Sequence, residues 1–317
     1  MPQMAEAMAA KKGRIWLDGR MVNWRDAKVH VLSHGLHYGT GVFEGVRCYD
    51  AKDGPAVFRL REHTERFLQS ARILGMRLPF SCKKLMEAQC EVVRVNKLKS
   101  CYIRPLAFYG ANSMGLGAAN NPVRVCIAAW KWGTYLGEKG LREGIRVKTS
   151  SFCRHHVNAV MCLAKISGHY VNSVMAHDEA VRDGYDEALL LAEDGLVAEG
   201  AGENLFIVRG GKLYTPDMTS QLEGITRNAI IALADDMGVE VIERRMTRDA
   251  VYTADEAFFT GTAAEVTPIR ELDGRMIGNG KPGKLTMRLQ REFFDIVSGR
   301  SSASFSYMTP VYEDGKK

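Results

Sequence analysis

The chain has 317 residues, of which 46% are hydrophobic and 25% charged, so it is long enough to bury the core of about two ordinary domains. Its net charge is +6, but no long basic block runs along it, which argues against nucleic-acid binding. No stretch approaches the roughly 18 apolar residues of a membrane-spanning helix, and the N-terminus lacks the pattern of a secretory signal. We therefore expect a cytoplasmic protein that binds neither nucleic acid nor membranes.

The first half of the chain carries the patterns of a hairpin, two helices and two strands, behind a flexible N-terminus at 1–13. These segments are 14–17 with 21–22, 62–74, 85–95, 102–106 and 123–130. The hairpin rests on the turn residues Asp18 and Gly19, and the helices rest on apolar residues at helical spacing. The Gly- and Asn-rich stretch 110–121 is expected to be a mobile loop between two strands.

The second half alternates hairpin turns with helices, which favours an α+β architecture. Turns are predicted at 193–195 and 209–212, helices at 225–237 and 285–297, and a strand at 145–147. Glycines at 133, 137 and 140 mark a domain boundary. The predicted scheme is a small α/β domain at 14–130, an interdomain loop at 131–142 and a large cofactor-binding domain at 143–317.

Lys165 is a candidate nucleophile because it lies in the apolar stretch 160–166. Burial opposes the charged ammonium, and a partly neutral lysine can form an imine with an aldehyde cofactor. The simpler interpretation is a lysine whose stem covers an apolar face while its amine reaches water. On pattern alone this simpler interpretation is favoured, and Lys131, between two tryptophans, is an equal candidate.

Two further segments could bind a cofactor. The segment 196–206 runs into a Gly-rich turn with Glu199 and Glu203 at its edge, and either carboxylate could hold a pyridinium proton. Residues 224–227 open a helix whose first N–H groups, with Thr226, could bind a phosphate, and Arg66 could add contacts. Taken singly, each segment is more often an ordinary turn or helix start.

Three other sequence patterns do not predict a dinucleotide, redox or metal site. The sequence 278–283 fits G-x-G-x-x-G but contains proline and follows a turn, so it does not predict a dinucleotide site. The seven cysteines include no C-x-x-C pair, which indicates buried thiols in a reducing compartment. The pairs His34 with His37 and His155 with His156 lack further ligands, so no metal site is predicted.

Motifs across almost the whole chain, from about 15 to 299, match one enzyme family. The matching segments are VLSHGLHYGTGVFEGVR at 31–47, EHTER at 62–66, YIRP at 102–105, AK at 164–165, EGAGENLF at 199–206, GITR at 224–227 and GTAAEVTP at 261–268. With these segments the chain resembles the branched-chain aminotransferases of fold type IV. The resemblance implies a two-domain α+β fold like that of D-amino-acid aminotransferase, with a smaller α/β N-terminal domain and a larger pseudo-barrel C-terminal domain.

The resemblance also implies pyridoxal 5'-phosphate as the cofactor and assigns residues to it. It implies Lys165 rather than Lys131 for the imine, and Glu199 rather than Glu203 for the pyridine nitrogen. Tyr170 is implied at the phenolate oxygen. The implied phosphate contacts are Arg66, Ile225, Thr226 and Thr262, and Leu222 is a further implied cofactor contact.

A mostly aromatic and apolar substrate pocket is implied, which suits a branched aliphatic side chain. Its implied residues are Tyr38, Phe43, Gly45, Arg47, Tyr102, Arg104, Met114, Leu116, Trp132, Tyr135, Thr262 and Ala263. Arg104, assisted by Arg47, matches the residue expected to bind the side-chain carboxylate of glutamate. The segment 112–116 resembles a loop that reaches into a neighbouring subunit, so a homodimer is implied, and assembly to a hexamer stays open.

The implied reaction is ping-pong transamination between L-leucine, L-isoleucine or L-valine and 2-oxoglutarate, in branched-chain amino acid biosynthesis or degradation. In this reaction the Lys165 amine shuttles the proton at the substrate carbon. Rivals within the fold are a D-amino-acid aminotransferase and an aminodeoxychorismate lyase, which the motifs at 38–47 and 261–268 disfavour. A noncatalytic basic binding protein is a rival of another class, which intact Lys165 and Glu199 disfavour.

Three positions depart from the family pattern. The segment 154–160 lacks a proline that many relatives have, and His169 stands where asparagine is common. Glu223 stands where relatives often have proline. These departures leave the implied chemistry intact and put the detailed shape of the pocket in question.

Overall fold

The structure, a computed structural model, describes residues 8–312 and divides them into two units, each built around one β-sheet. The first unit comprises the described residues up to Trp132, the short segment Ala164–Gly168 and the described residues from Phe305 onward. The second unit comprises Gly133–Leu163 and His169–Ser304.

The described part of the chain contains strands β1 to β17 and helices α1 to α9. The strands are β1 Arg14–Leu17, β2 Arg20–Asn23, β3 Gly41–Phe43, β4 Val46–Ala51, β5 Gly54–Phe58, β6 Cys101–Tyr109, β7 Val123–Trp130, β8 Ile145–Thr149, β9 Glu187–Leu191, β10 Val197–Gly200, β11 Asn204–Arg209, β12 Lys212–Thr215, β13 Val241–Glu243, β14 Glu256–Gly261, β15 Glu265–Leu272, β16 Arg275–Met276 and β17 Met308–Pro310. The helices are α1 His34–Tyr38, α2 Leu60–Ile73, α3 Cys82–Val95, α4 Gly137–Glu143, α5 Tyr170–Arg182, α6 Ile225–Asp236, α7 Arg248–Tyr252, α8 Lys284–Val297 and α9 Ser304–Tyr307. Short 3-10 helices are Met8–Ala10, Trp24–Asp26, Ala118–Asn120 and Ser167–His169.

The sheet of the first unit is antiparallel, in the order β17-β5-β4-β6-β7-β1-β2, with β3 also paired to β6. Helices α2 and α3 each bury one apolar face, and on α2 that face includes Phe67 and Ala71 at helical spacing. Phe67 and Leu85 belong to one core with the strand residues Ile103 and Ile127. Burying each large side chain contributes roughly 1.5–3 kcal/mol.

The sheet of the second unit is mixed, in the order β10-β9-β8-β15-β14-β11-β12-β13, with β16 paired to β15. Strand β8 runs parallel to both β9 and β15, while β9–β10, β11–β14 and β14–β15 are antiparallel. Its core includes Ile145, Leu205 and Phe259. Helices α6 and α8 contact each other and both contact strand β14.

Most of the elements predicted from sequence are confirmed. The opening hairpin is β1–β2, and the first predicted helices are α2 and α3. The turns at 193–195 and 209–212 join antiparallel strand pairs, and the helices at 225–237 and 285–297 are α6 and α8. Each of these elements carried a complete local pattern of two-residue or helical periodicity.

The two units differ from the predicted domain limits at two places. Ala164–Gly168, predicted to lie in the large domain, belongs to the first unit because its backbone bonds to β3 and Val42 pairs with Ile166. The residues from Phe305 join the first unit because β17 pairs with β5. The predicted interdomain loop at 131–142 contains most of helix α4. The domain scheme itself stays a prediction.

Two segments predicted to be mobile are hydrogen-bonded where the structure describes them. Residues 1–7 of the predicted N-terminal segment lie outside the described residues, and the Trp24 indole donates to the carbonyl of Met8. In the stretch 110–121, Asn121 accepts bonds from the backbone of Asn112 and Ser113, and His34 Nε2 lies 2.8 Å from the Gly115 carbonyl oxygen.

Between residues 8 and 312, the helices are all too short or too polar to cross a membrane.

The core of the first unit can be tested at Phe67, which is 1% exposed. Phe67→Ala should lower the free energy of unfolding by about 3–5 kcal/mol, because it removes a buried ring and leaves a cavity. Ile73→Ala is the matched control on the same helix, since Ile73 is 36% exposed. Denaturant unfolding of both variants measures the difference, and equal losses would contradict this assignment of the core.

Candidate active site

Lys165 is held in the first unit through its backbone. Its N–H donates to Oγ of Ser70 on α2 at 2.9 Å, and its carbonyl accepts from the N–H of Phe43 at 3.0 Å. Its Nζ lies 5.1 Å from the centre of the Phe43 ring. The side chain is partly buried, as the apolar sequence around it predicted. Anchoring on both sides of Cα restricts where the amine can move.

Phe43 also carries a second cation on its ring. The guanidinium of Arg104, on β6, lies 4.8 Å from the ring centre, and its Nη2 donates to the Tyr102 hydroxyl at 3.1 Å. Nε of Arg104 is buried and has no hydrogen-bond partner among the described residues. A buried donor without a partner costs about 1–3 kcal/mol unless a ligand satisfies it. Arg104 is therefore suited to bind a carboxylate.

Gly45, between β3 and β4, makes room for Tyr102. A Cβ atom at Gly45 would lie 1.9 Å from the Tyr102 hydroxyl oxygen, a distance that no side chain can occupy. The Tyr102 and Trp132 rings meet edge to face at 4.5 Å, and Arg47 donates to the Trp132 carbonyl at 3.4 Å. The predicted pocket residues of β4, β6 and the end of β7 thus form one aromatic cluster.

Between Phe43 and Gly45, the carboxylate of Glu44 is fully buried. Nε and Nη2 of Arg66 on α2 contact its two oxygens at 2.7 and 2.9 Å, and Nδ1 of His63 lies 2.8 Å away. Burial alone would raise the pKa of Glu44, but Arg66 and His63 together lower it far below its usual range. Burial has the opposite effect on a histidine, and it lowers the pKa of His63. Arg66 is thereby oriented by a bidentate ion pair.

Four predicted pocket residues of the first unit are exposed, among them Trp132 at 37%. Tyr38 ends α1 and is 43% exposed, while Met114 and Leu116, between β6 and β7, are 47% and 89% exposed. In the single chain both loop side chains therefore face solvent. Apolar side chains this exposed on one loop suit a surface that another molecule covers.

In the second unit, Glu199 lies on β10 with its side chain 8% exposed. Nε of Arg154 lies 2.6 Å from its Oε1, and the N–H of Leu222 donates to its Oε2 at 3.1 Å. Two of the predicted cofactor residues, Glu199 and Leu222, are thus in direct contact. The alternative acid, Glu203, is also buried and accepts from the N–H of Gly202 at 2.9 Å.

Helix α6 begins at Ile225, as predicted, after the N-cap residue Gly224. A Cβ atom at Gly224 would lie 1.8 Å from Oδ1 of Asn204. Nδ2 of Asn204 donates to Gln221 at 2.9 Å and to the Leu222 carbonyl at 3.0 Å, which fixes the turn before the helix. The first N–H groups of a helix lack intrahelical acceptors and attract anions.

The remaining predicted residues of the second unit lie at element ends. Tyr170 is the first residue of α5, and Thr262 and Ala263 lie in the turn between β14 and β15. Tyr135 precedes α4, and its hydroxyl lies 3.4 Å from the buried carboxylate of Glu187.

No role was predicted from the sequence for Glu44, His63, Arg154 or Asn204. The signal for Glu44 was an acid placed between the apolar β3 and Gly45, which indicates a buried charge that requires a partner. Nothing in the sequence around Arg154 predicted its ion pair, because its partner Glu199 lies on β10, far along the chain.

Each unit, taken by itself, holds groups that suit part of a phosphorylated pyridine aldehyde. A lysine amine anchored through its backbone is present in the first unit, and a buried carboxylate and a helix N-terminus free of Cβ obstruction are present in the second. These groups match an aldehyde carbon, a ring nitrogen and a phosphate respectively.

Comparison with known proteins gives matches over most of the chain. The family model for amino-transferase class IV matches residues 41–272. A branched-chain-amino-acid aminotransferase of Pseudomonas aeruginosa is 55% identical over 305 residues, which cover 96% of this chain and 99% of that protein.

Solved structures match equally widely. The branched-chain amino acid aminotransferase of Escherichia coli has a TM-score of 0.93 and 47% identity, covering 95% of this chain and 100% of that one. The branched-chain amino acid aminotransferase of Thermobaculum terrenum, solved as the holoenzyme in its pyridoxal-phosphate form, has a TM-score of 0.89 and 34% identity, covering 95% and 99%.

The buried ion pair of the first unit can be tested at Glu44. Glu44→Gln should lower the free energy of unfolding by about 3–5 kcal/mol, because it leaves the Arg66 charge buried without its counter-ion. Glu62→Gln, on the more exposed Arg59–Glu62 pair, should change it by less than about 1 kcal/mol. Denaturant unfolding measures both, and a near-neutral Glu44→Gln would refute the role given to this carboxylate.

Proposed function

This chain belongs to the class IV aminotransferases and, within them, to the branched-chain-amino-acid aminotransferases, and we propose that the residues described above carry out the family's reaction. The fold class predicted from sequence is confirmed, and the enzyme is pyridoxal-phosphate-dependent. The reaction exchanges the amino group between L-leucine, L-isoleucine or L-valine and 2-oxoglutarate, and yields a branched 2-oxo acid and L-glutamate.

One observation carries the assignment of residues: the Lys165 amine and the Arg104 guanidinium both lie over the ring of Phe43. This places a group able to move a proton near a group able to bind a carboxylate. In the proposed mechanism Lys165 would hold the cofactor, and its free amine would take the proton from the substrate Cα and deliver it to the cofactor.

The other residues bind and orient. Bound pyridoxal phosphate supplies an electron sink for the negative charge at the substrate Cα. Glu199 would hold the proton on the ring nitrogen of the cofactor, and Tyr170 would donate to the phenolate oxygen of the cofactor. The phosphate contacts are Arg66, Ile225, Thr226 and Thr262.

The proposed substrate pocket serves two chemically different side chains. Phe43, Tyr102 and Trp132 offer apolar surface to a branched side chain. Arg104, whose Nε has no partner among the described residues, binds the side-chain carboxylate of glutamate or 2-oxoglutarate, with Arg47 beside the Trp132 carbonyl. Tyr38, Gly45, Tyr135 and Ala263 complete the proposed lining.

We take a homodimer as the smallest active unit, in which Met114 and Leu116 reach the partner's pocket. Their exposure of 47% and 89% supports this, and sedimentation of the purified enzyme measures the state of assembly. A cytoplasmic location is also proposed, supported by free thiols at every cysteine of the described chain.

The role of Lys165 is tested by the visible absorption of the purified holoenzyme. L-Leucine should shift the band of the bound cofactor and 2-oxoglutarate should restore it, whereas D-leucine should leave it unchanged. Lys165→Ala should lose the shift and lower turnover by at least about 100-fold, because the proton at Cα has no acceptor. Lys131→Ala is the control and should behave as wild type, while near-normal turnover in Lys165→Ala would refute the assignment.

The role of Arg104 is tested by comparing two substrates. Arg104→Gln should raise the KM for 2-oxoglutarate by about 10–100-fold, because a charge-assisted contact worth roughly 1.5–3 kcal/mol is lost. The KM for L-leucine should change much less, since its side chain has no charge. Arg124→Gln, on the neighbouring strand β7, is the control, and a parallel rise for both substrates would contradict a carboxylate-binding role.

A further inference from the structure

Arg154 lies at the centre of a polar chain in the second unit, in which Arg154 and Glu199 are buried and His155 is partly buried. Its Nε is 2.6 Å from Oε1 of Glu199, in an ion pair that lacks hydrogen-bond alignment, and its Nη1 is 3.0 Å from Nδ1 of His155. The side chains of Arg154 and Glu199 are each 8% exposed, so water has little access to either. The guanidinium therefore has one anionic partner and one neutral partner, and each contacts a different nitrogen.

His155 must be neutral for this arrangement, with its proton on Nε2. Arginine has no acceptor atom, so the contact between Nη1 and Nδ1 requires a lone pair on Nδ1. Burial, together with repulsion from Arg154 and His169, lowers the pKa of His155 to about 3. The ring consequently stays an acceptor for Arg154 at neutral and mildly acidic pH.

The other titratable groups that face this chain are His169 and Cys162. The His169 ring centre lies 5.1 Å from that of His155, and Sγ of Cys162 lies 3.9 Å from the His155 carbonyl oxygen. Burial raises the pKa of the Cys162 thiol, with Glu199 adding to the rise against Arg154, so the thiol stays neutral. Arg154 is a cation in direct contact with Glu199.

We propose that His155 is a positioning residue for the cofactor site: by accepting from Nη1 it holds the Arg154 guanidinium with Nε toward Glu199, and so keeps Glu199 an anion. This inference rests on the proposed role of Glu199 at the pyridine nitrogen. His155 does not touch the reacting atoms, and it acts through Arg154.

The consequence concerns acid pH. A buried carboxylate that loses its cation takes up a proton at higher pH, because the low-dielectric surroundings oppose its charge. A neutral carboxyl at Glu199 holds a protonated ring nitrogen less well than a carboxylate. Without His155 the arginine is less restricted, and the enzyme should lose cofactor at a higher pH as the solution is acidified.

The experiment measures the cofactor retained by the holoenzyme, from its visible absorbance after gel filtration, as the pH is lowered from neutrality. His155→Leu should raise the midpoint of cofactor loss by about one pH unit, the size expected when an opposite charge leaves a carboxylate. His155→Asn should restore the wild-type midpoint, because its Oδ1 can accept in place of Nδ1. His156→Leu is the matched control. The His156 side chain is 51% exposed, so its replacement should leave the midpoint of cofactor loss unchanged.

Several outcomes overturn the inference. An unchanged midpoint in His155→Leu would do so, as would an equal shift in His156→Leu. A lowered unfolding temperature of cofactor-free His155→Leu that His155→Asn does not restore would assign a packing role instead. If the wild-type protein binds no cofactor, the proposed function itself fails, and this result is seen before any variant is made.

Discussion

The structure depends on buried carboxylates that are neutralised by arginine. Glu44 in the first unit and Glu199 in the second are both nearly excluded from water, and each contacts an arginine guanidinium. Isolated charges in such surroundings are prohibitively unfavourable, so each pair must form for its unit to fold as it does. The pairs also link elements, because Arg66 lies on α2 and Glu44 lies at the junction of β3 and β4.

These ion pairs orient the groups proposed to bind the cofactor. Arg66 is held by two contacts with Glu44, and Glu199 is held by Arg154 and by the backbone of Leu222. A ligand that meets fixed donors and acceptors loses less binding energy to reorganisation than one that must order them. The glycines at 45 and 224 serve the same purpose by leaving space that a Cβ atom would fill.

Lys165 shows how backbone contacts position a reactive side chain. Ser70 and Phe43 bond its backbone N–H and carbonyl, and Ile166 pairs with Val42. Its segment is separated in sequence from the rest of the first unit, yet it is fixed to β3 and α2. The position of the amine is therefore restrained by the sheet and by α2, although Lys165 itself lies in a loop.

Much of this protein could be predicted from the sequence by local pattern. Helices α2, α3, α6 and α8 and the hairpins were evident because periodicity is set by neighbours along the chain. The choice of Lys165 for the imine and of Glu199 for the pyridine nitrogen came from the family motifs. On local pattern alone, Lys131 and Glu203 were equally plausible. The roles of Lys165 and Glu199 at the cofactor remain proposals.

The tertiary structure decided what local pattern does not encode. The pairing of Glu44 with Arg66, which is 22 residues away, the contact of Arg154 with Glu199, and the place of Ala164–Gly168 beside β3 all join distant parts of the chain. The sequence by itself determined which segments become helices and strands and which family motifs are present. Only packing decided which buried charges meet. Such contacts depend on the distances between elements in space, and the order of the elements along the chain does not fix those distances.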